Sequence, residues 1–304
     1  MRRILEPGQI EDVAQRPLPR LRLPDRAHVF SMRAARLRQQ SGKDAIGGSI
    51  GDYLRLMAHL ADAQQIALAD MESTPPSIEQ IAHARTFRMP LVASNGWPRE
   101  QHWRRTLRSI CDSLAMLPEL SAPTRAVCDG LRVLGRESLE AQADALLAAR
   151  TEAVDVAAAP FVMAALQVYW VDLASRMRTD DIPELDVPGA CPTCGTLPVA
   201  SVVRAQGFRY LHCALCATEW HMVRVKCSHC LTTRGISYQF IEDGPPGIRA
   251  ECCDTCRTYR KILYQEQDGE VEPVADDLAS LALDLLLSDA GYHRASANPL
   301  LPVV

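Results

Sequence analysis

The chain has 304 residues, a formal net charge of −4, and 47% apolar, 23% charged and 5% aromatic residues. This length allows one large domain or two ordinary ones, each with its own core, and the composition is typical of a soluble globular protein. The acidic balance argues against a general nucleic-acid binder, which would usually be basic. Because aromatic residues are few while Ala and Leu are abundant, we expect helices outside the cysteine-rich region.

The chain starts with Met1-Arg2-Arg3, and paired arginines occur in twin-arginine export signals. We predict no export signal here, because acidic residues and a proline follow in place of an apolar run. The longest apolar run, 156–171, is interrupted by Pro160 and Gln167 and is too short to cross a bilayer. We therefore predict a cytoplasmic protein without membrane insertion. In that reducing compartment, paired cysteines more often bind metal than form disulfides.

Most of the chain before residue 179 has the apolar periodicity of helices. After an extended, Pro- and Arg-rich segment over the first 26 residues, helices are predicted from Ala27 and over about 50–71, 77–85, 99–117, 122–135, 137–149 and 153–178. Ser77 and Gln80 can form a capping box at the start of the third predicted helix. The helix at 153–178 carries almost no charge, which predicts the buried centre of a helical domain.

Three arginines, Arg33, Arg36 and Arg38, lie between the apolar positions of the first predicted helix. Such charges usually mark a solvated helix face, and a basic patch for an acidic partner is the alternative. Both interpretations place these side chains at the surface.

The acid- and proline-rich segment 179–188 is the strongest candidate for a domain boundary. We predict an α plus small β fold. An all-helical domain (1–186) precedes tandem rubredoxin-like or zinc-ribbon-like four-cysteine modules (187–265) and a C-terminal helix and tail (266–304). The final helix is predicted from Asp276 to about Ser288, with enough leucines to dock on another surface.

Four Cys-x-x-Cys pairs provide enough thiols for two complete four-sulfur metal sites. The predicted ligands are Cys191, Cys194, Cys213, Cys216, Cys227, Cys230, Cys253 and Cys256. Eighteen residues separate the first pair from the second and 22 separate the third from the fourth, with plausible short strands between them. These spacings favour two consecutive ribbon-like units. Interleaved pairing, in which the first pair joins the third and the second joins the fourth, is the alternative.

The coordination chemistry alone does not choose the metal, because zinc and iron both suit four sulfurs in a tetrahedron. The first knuckle, Cys191-Pro192-Thr193-Cys194-Gly195, has the Pro and Gly of a rubredoxin-type turn, in which glycine permits a positive φ. The other three knuckles lack that glycine. A structural role for the metal is expected, because a closed four-ligand site leaves no position for a substrate.

Several residues near the cysteine pairs are expected to lie outside the coordination. They are the three histidines His212, His221 and His229, the small-core residues Tyr210 and Trp220, and Cys252, which is either a spare thiol or a replacement for Cys253. Cys111 and Cys128 are expected to be buried core residues. The sequence has no convincing Ser-His-Asp set, carboxylate pair or phosphate-binding loop, so we predict no catalytic residue and no enzyme activity.

The charge balance of the segment 191–263 bears on its partners. Nine cations stand against five acids in this segment, and each four-thiolate site around a divalent ion is formally −2. Two occupied sites would therefore bring the module near zero. We expect the positive excess to neutralise the metal sites and to leave little charge for attracting DNA.

The cysteine motifs resemble those of the formate dehydrogenase accessory protein FdhE family. The residues that carry the resemblance are CPTCGTLP at Cys191, LHCALCATEWHMVRVKCSHC from Leu211 and ECCDTCRTYRK from Glu251. Supporting similarity lies in FSMRAARLR from Phe30, DYLRLMAHLADAQ from Asp52 and AGYHRASANPLL from Ala290. The resemblance covers most of the chain. It implies a cytoplasmic maturation chaperone that acts on the catalytic subunit of respiratory formate dehydrogenase before export.

The resemblance also bears on the metal, because the eight paired cysteines fall position by position on the family's motifs. It implies two mononuclear four-cysteine iron sites in rubredoxin-like modules, with zinc as the alternative. Two other functions stay open at this point. One is a rubredoxin-like electron-transfer protein that uses iron at these sites, and the other is a zinc-ribbon nucleic-acid binder, which the near-zero module charge disfavours.

Overall fold

The computed structural model describes residues 18–42, 49–150, 152, 154–204, 207–242 and 244–301. The helices in these residues are α1 (Val29–Ser41), α2 (Ser49–Ala69), α3 (Ile78–Phe87), α4 (His102–Ala115), α5 (Ala122–Val133), α6 (Arg136–Leu147), α7 (Ala159–Ser175), α8 (Pro273–Ala279) and α9 (Leu281–Asp289). The strands are β1 (Leu21–Arg22), β2 (Pro198–Val203), β3 (Arg209–Cys213), β4 (Glu219–His221), β5 (Ile236–Gln239), β6 (Ile248–Cys253), β7 (Thr258–Tyr264) and β8 (His293–Arg294). The predicted fold class is confirmed. Most of the predicted extended segment at the start of the chain lies outside the described residues.

The helical part forms around α7, as its lack of charge predicts. Fifteen of the 17 residues of α7 are buried, and α4, α2 and α6 pack against it. The predicted capping box is also present, since the Ser77 side chain accepts from the Gln80 N–H and the Gln80 side chain accepts from the Ser77 N–H. Within the described residues, no helix is both long and apolar enough to cross a membrane.

Asp172 is the buried acidic group of α7, and it ties the surrounding segments to this helix. Its carboxylate accepts hydrogen bonds from the Ser73 N–H at 2.8 Å and from the Ser73 hydroxyl at 2.6 Å. Arg26 and Arg176 both pair with the same carboxylate. A buried charge is tolerated when it is paired and hydrogen-bonded in this way.

The surface location predicted for the arginines of α1 is wrong for two of the three. Arg33 and Arg36 are both buried. The Arg33 Nε donates to the Glu272 carboxylate at 3.1 Å, and the Arg36 Nε donates to Asp276 Oδ1 at 2.8 Å. Both acids lie at the start of α8, which packs on α1. The interior tolerates these cations because buried acids pair with them. The acids lie about 240 residues away in the sequence, so helical periodicity cannot indicate the pairing.

The two cysteine units belong to one continuous sheet. Its strand order is β1-β4-β3-β2-β7-β6-β5, with β8 also beside β7. The parallel pairing of β2 with β7, in which Ser201 lies opposite Ile262, joins the first unit to the second. At the far edge β1 pairs with β4, Leu21 opposite Trp220. The predicted strands are present as β2, β3 and β5, whereas β6 and β7 are not predicted by the sequence pattern.

The C-terminal helix predicted from Asp276 to about Ser288 is instead two helices. It begins earlier, at Pro273, and the backbone leaves the helical conformation at Ser280. The buried Lys261 Nζ donates to the carbonyl oxygens of Asp277 at 2.7 Å and Ser280 at 3.1 Å. The ammonium group thus donates to backbone carbonyls at the break between the two helices. The domain boundaries at residues 186 and 265 stay a prediction. The pairing of β1 with β4 and the packing of α1 on α8 both join segments from opposite sides of these boundaries.

Replacing Arg36 with alanine is expected to lower the free energy of unfolding by about 3–5 kcal/mol, because Asp276 would be left buried without its ionic partner. Arg38 on the same helix is the matched control, since it and its partner Asp62 are both partly exposed. Arg38→Ala is expected to cost less than about 1 kcal/mol. Urea unfolding followed by circular dichroism measures both values. Equal losses in the two variants would contradict this assignment.

Candidate metal centres

The structure brings the eight paired cysteines together as two separate clusters. The first cluster contains Cys191, Cys194, Cys213 and Cys216, and the second contains Cys227, Cys230, Cys253 and Cys256. Within each cluster the four Sγ atoms lie within 4.8 Å of one another. This is the sequential arrangement of knuckles, so the interleaved alternative does not describe this fold.

The separations between sulfurs fit a single tetrahedral ion. In the first cluster the Sγ atoms of Cys194 and Cys213 are 3.3 Å apart and those of Cys191 and Cys216 are 3.6 Å apart. The corresponding distances in the second cluster are 3.6 and 3.8 Å. Four sulfurs at about 2.3 Å from one ion are roughly 3.8 Å from each other, whereas a disulfide needs about 2.05 Å. Zinc and iron fit this donor set equally well.

All four knuckles share a longer pattern than Cys-x-x-Cys, namely Cys-x-x-Cys-x-Thr. The residue before the threonine has a positive φ in every case: Gly195 (79°), Ala217 (56°), Leu231 (64°) and Arg257 (54°). The missing glycines therefore do not change the turn, although each non-glycine residue costs about 1–2 kcal/mol in this conformation. This threonine is visible in the sequence after every knuckle, but the Cys-x-x-Cys motif alone does not include it.

Three of the four threonines of this pattern place hydroxyl groups against the sulfurs. Thr196 Oγ1 lies 3.1 Å from Cys194 Sγ and 3.0 Å from Cys213 Sγ, which belongs to the facing knuckle. Thr218 and Thr258 each contact the second cysteine of their own knuckle, at 3.2 and 3.1 Å. Hydroxyl donors in the outer shell of a metal site stabilise thiolate ligands and fix their orientation.

The first cluster is enclosed by the helical part of the protein. None of its four cysteines is more than 1% exposed. The loop 91–94 donates three backbone hydrogen bonds to the carbonyls of knuckle residues 192–194, at 3.4, 2.8 and 2.8 Å. The indole of Trp170 in α7 donates to the Val92 carbonyl at 2.9 Å and holds this loop in place. The first knuckle is therefore anchored to the central helix.

The second cluster lies at the surface on one side. Cys227 and Cys253 are buried, whereas Cys230 and Cys256 reach solvent. The Cys227 sulfur accepts backbone hydrogen bonds from residues 229 and 230, both at 3.4 Å. Such N–H···S contacts are typical of a knuckle that is already shaped for an ion.

Each cluster contains thiols whose pKa is raised and one thiol whose pKa is lowered. Burial raises the pKa of Cys191 and of Cys216 well above the ordinary value, so a cation is needed to stabilise their thiolates. Burial also acts to raise the pKa of Cys256, but hydrogen bonds from Thr258 outweigh it and lower that pKa to about 7. In the first cluster, hydrogen bonds with neighbouring cysteines likewise outweigh burial and lower the pKa of Cys213 well below its ordinary value, and burial raises the pKa of other thiols in the second cluster. Each cluster therefore contains thiols of both kinds.

The cations of the cysteine segment are only in part available to neutralise the metal sites. The Arg209 guanidinium pairs with Glu251 at 2.8 Å, and Lys261 pairs with Asp284 at 2.6 Å. Glu251 is one of the five acids of the segment, whereas Asp284 lies outside the segment and takes up part of its positive excess. Arg260, by contrast, donates to the hydroxyl of Ser228 in the third knuckle at 2.8 Å. Burial lowers the pKa of Arg260 to about 9.

The other candidate residues lie outside the clusters. Cys252 is buried, with its sulfur 3.9 Å from the Ala250 carbonyl oxygen, and Cys253 supplies the thiol of the second cluster. The histidines expected to be non-ligands, His212, His221 and His229, are absent from both clusters. The buried residues include Cys111, Cys128, Tyr210 and Trp220, as expected.

Comparison with known proteins gives matches along almost the whole described chain. The family descriptions that match are FdhE, N-terminal, over residues 18–186, FdhE, central domain, over 190–224 and FdhE, C-terminal domain, over 225–301. The chain belongs to the FdhE family. This confirms the resemblance that the cysteine motifs carry, and it supports the expectation of a formate dehydrogenase accessory protein.

Individual relatives within the family are similar over nearly their full lengths. The chain is 42% identical over 306 residues to the Protein FdhE homolog of Cronobacter sakazakii, covering 98% of this chain and 97% of the relative. It is 40% identical over 300 residues to Protein FdhE of Salmonella paratyphi B, covering 97% and 95%. The crystal structure of the FdhE protein from Pseudomonas aeruginosa matches with a TM-score of 0.84 at 38% identity, covering 93% of this chain and 99% of that one.

Replacing Gly195 with alanine is expected to lower the free energy of unfolding of the metal-loaded protein by about 1–2 kcal/mol. Its φ is +79°, and a Cβ would lie 3.0 Å from the Pro90 Cγ. Ala217→Gly, at the same position of the second knuckle, is the matched control and is expected to cause no loss. Chemical denaturation of both variants tests this, and equal losses would contradict it.

Proposed function

We propose that the protein is an accessory protein, a maturation chaperone, for the assembly of respiratory formate dehydrogenase, and that it binds the catalytic subunit of that enzyme in the cytoplasm. The observation that supports this most directly is family membership along residues 18–301, together with the two intact four-cysteine clusters. Family membership supports the link to formate dehydrogenase. The identity of the subunit and the compartment are parts of the proposal.

We propose the eight clustered cysteines as the ligands of two mononuclear metal ions, with iron as the native metal and zinc as the alternative. An ion bound in either cluster would cross-link two knuckles, and iron would add a one-electron couple. The residues around each site are arranged for this role. The left-handed turn orients the second cysteine of every knuckle, and the hydroxyls of Thr196, Thr218 and Thr258 lie against the sulfurs. Support for iron over zinc comes from the family resemblance.

The proposed role is non-enzymatic. Four thiolates would complete the coordination of a tetrahedral ion and leave no open position for a substrate. The enclosure of the first cluster by the loop 91–94 supports a structural role for its ion. The helical part at 1–186, the modules at 187–265 and the C-terminal tail at 266–304 are proposed as the working divisions of the chain.

A rubredoxin-like electron-transfer protein is the second candidate function. The observation that favours it is the solvent access of Cys230 and Cys256, since an iron site close to the surface can exchange electrons with a partner. Such a protein would be coloured and would show a reversible one-electron couple. A colourless protein that contains only zinc after growth with ample iron would count against this candidate.

Association with the catalytic subunit of formate dehydrogenase tests the chaperone proposal. The tagged chain is co-expressed with that subunit and purified without oxygen, and we expect the two proteins to elute together. An unrelated protein with the same tag serves as the control. If the subunit does not co-purify above the level of this control, the chaperone proposal fails.

Metal analysis tests the ligand assignment. The protein purified without oxygen is expected to contain two metal ions per chain, chiefly iron, and Cys253→Ser is expected to contain one. Cys252→Ser is the matched control, because this adjacent thiol is buried outside the cluster, and it is expected to keep two ions. Loss of an ion from Cys252→Ser but not from Cys253→Ser would reverse the assignment.

A further inference from the structure

The two clusters have the same donor set but very different access to solvent. The cysteines of the first cluster are at most 1% exposed. In the second cluster Cys230 and Cys256 reach solvent. The side chains beside this open edge, His229, Leu231 and Arg234, are themselves exposed. A ligand from solution can therefore approach the second cluster along a path that the first cluster lacks.

The cover over the first cluster is part of the core of the protein. The three backbone hydrogen bonds from loop 91–94 close one side of it. On another side, Gln167 of the buried helix α7 donates to the Ala214 carbonyl in the second knuckle at 2.8 Å. Reaching the first four sulfurs thus requires these contacts to open, which is a local unfolding event.

The strands around the second cluster are held independently of its sulfurs. β6 pairs with β7 over six residue pairs and with β5 over four. β7 is fixed on its other edge by β2 and β8. Arg260 also anchors the third knuckle through the hydroxyl of Ser228. The scaffold of this cluster therefore does not depend on a bound ion for its strand pairing.

We propose that the second cluster is an exchangeable metal site, which releases and takes up its ion in the folded protein through Cys230 and Cys256, whereas the first cluster holds its ion permanently. This inference rests on the proposed metal ligation. It assigns the two sites different roles. The first ion stabilises the fold, and the second exchanges with metal ligands in solution or on a partner.

The exchange step conserves charge and electrons. A multidentate ligand takes the coordination positions of the two solvent-reaching thiolates first, and then those of Cys227 and Cys253. The ion leaves as a chelate with its oxidation state unchanged. The four thiolates take up protons from water to the extent that each thiol's pKa requires.

Competition with a chromogenic chelator tests the inference on the full chain. The protein is loaded with two zinc ions without oxygen and mixed with excess 4-(2-pyridylazo)resorcinol, and zinc transfer is followed by absorbance. We expect two phases of one equivalent each. Because the slow phase requires about three buried backbone hydrogen bonds to open, we expect it to be slower by about 100-fold or more.

Two variants and a labelling experiment assign the phases. Cys230→Ser is expected to bind one zinc ion and to show the slow phase alone, while Cys252→Ser keeps both phases. Alkylation with iodoacetamide, quenched after the fast phase and read by mass spectrometry, is expected to label the second cluster and to spare Cys191 and Cys194. Because the alkylation is carried out on the chain without any substitution, its result holds even if a variant fails to fold.

The outcomes separate this inference from the proposals on which it rests. Release of both ions in a single phase, or alkylation of the first cluster in the fast phase, would overturn the inference and leave the metal ligands intact. A chain that binds no zinc would overturn the ligand assignment and the inference together. Failure to bind the catalytic subunit would affect the chaperone proposal alone.

Discussion

The parallel pairing of β2 with β7 is the interaction on which the rest of the architecture depends. It connects two strands about 60 residues apart and makes one sheet from two cysteine units. The same sheet positions the C-terminal helices, since Lys261 in β7 binds the carbonyl of Asp277 in α8 and that of Ser280 between α8 and α9. α8 in turn reaches back to α1, where its acids meet Arg33 and Arg36. The second cysteine unit and the C-terminal helices are therefore joined to the first unit through this strand pair, while the helical part also contacts the first unit directly through loop 91–94.

The buried polar groups of the protein include two kinds, namely charges that are paired with opposite charges and thiols that are clustered together. Buried charges far from the clusters are paired across long sequence distances, as with Asp172 and the two arginines of α1. Leaving one member of such a pair alone in the interior is costly, so these contacts favour one arrangement of the segments over others. The buried thiols of the first cluster have one another, nearby hydroxyls and two backbone N–H groups of the second knuckle as polar neighbours. A cation is the natural complement to such a set of acidic groups.

Local patterns predicted the elements that depend on local chemistry. The uncharged sequence of α7 indicated its central position, the Ser77 capping box marked the start of α3, and the spacing of the cysteine pairs indicated sequential units. The sequence did not predict features decided by distant partners. Arg36 is buried because Asp276 lies beside it in space. β7 has Arg260 and Lys261 in its middle, so its sequence lacks the apolar run that would indicate a buried strand. The threonine after each knuckle was available in the sequence, and it would have indicated that all four turns share one conformation despite three missing glycines.

The order of strands in the sheet has a consequence for the size of the metal-binding part. Each unit runs knuckle, strand, strand, knuckle, strand, and the units follow each other head to tail as β4-β3-β2 and then β7-β6-β5. This head-to-tail array is an open sheet, so it has an edge at each end. Residues 21 and 22 supply one terminus, because β1 covers the edge of β4. The other end is β5, a strand of only four residues, and a short edge strand discourages further strand addition. The array is thus limited to two repeats, with its first repeat capped by the segment that precedes the helical part.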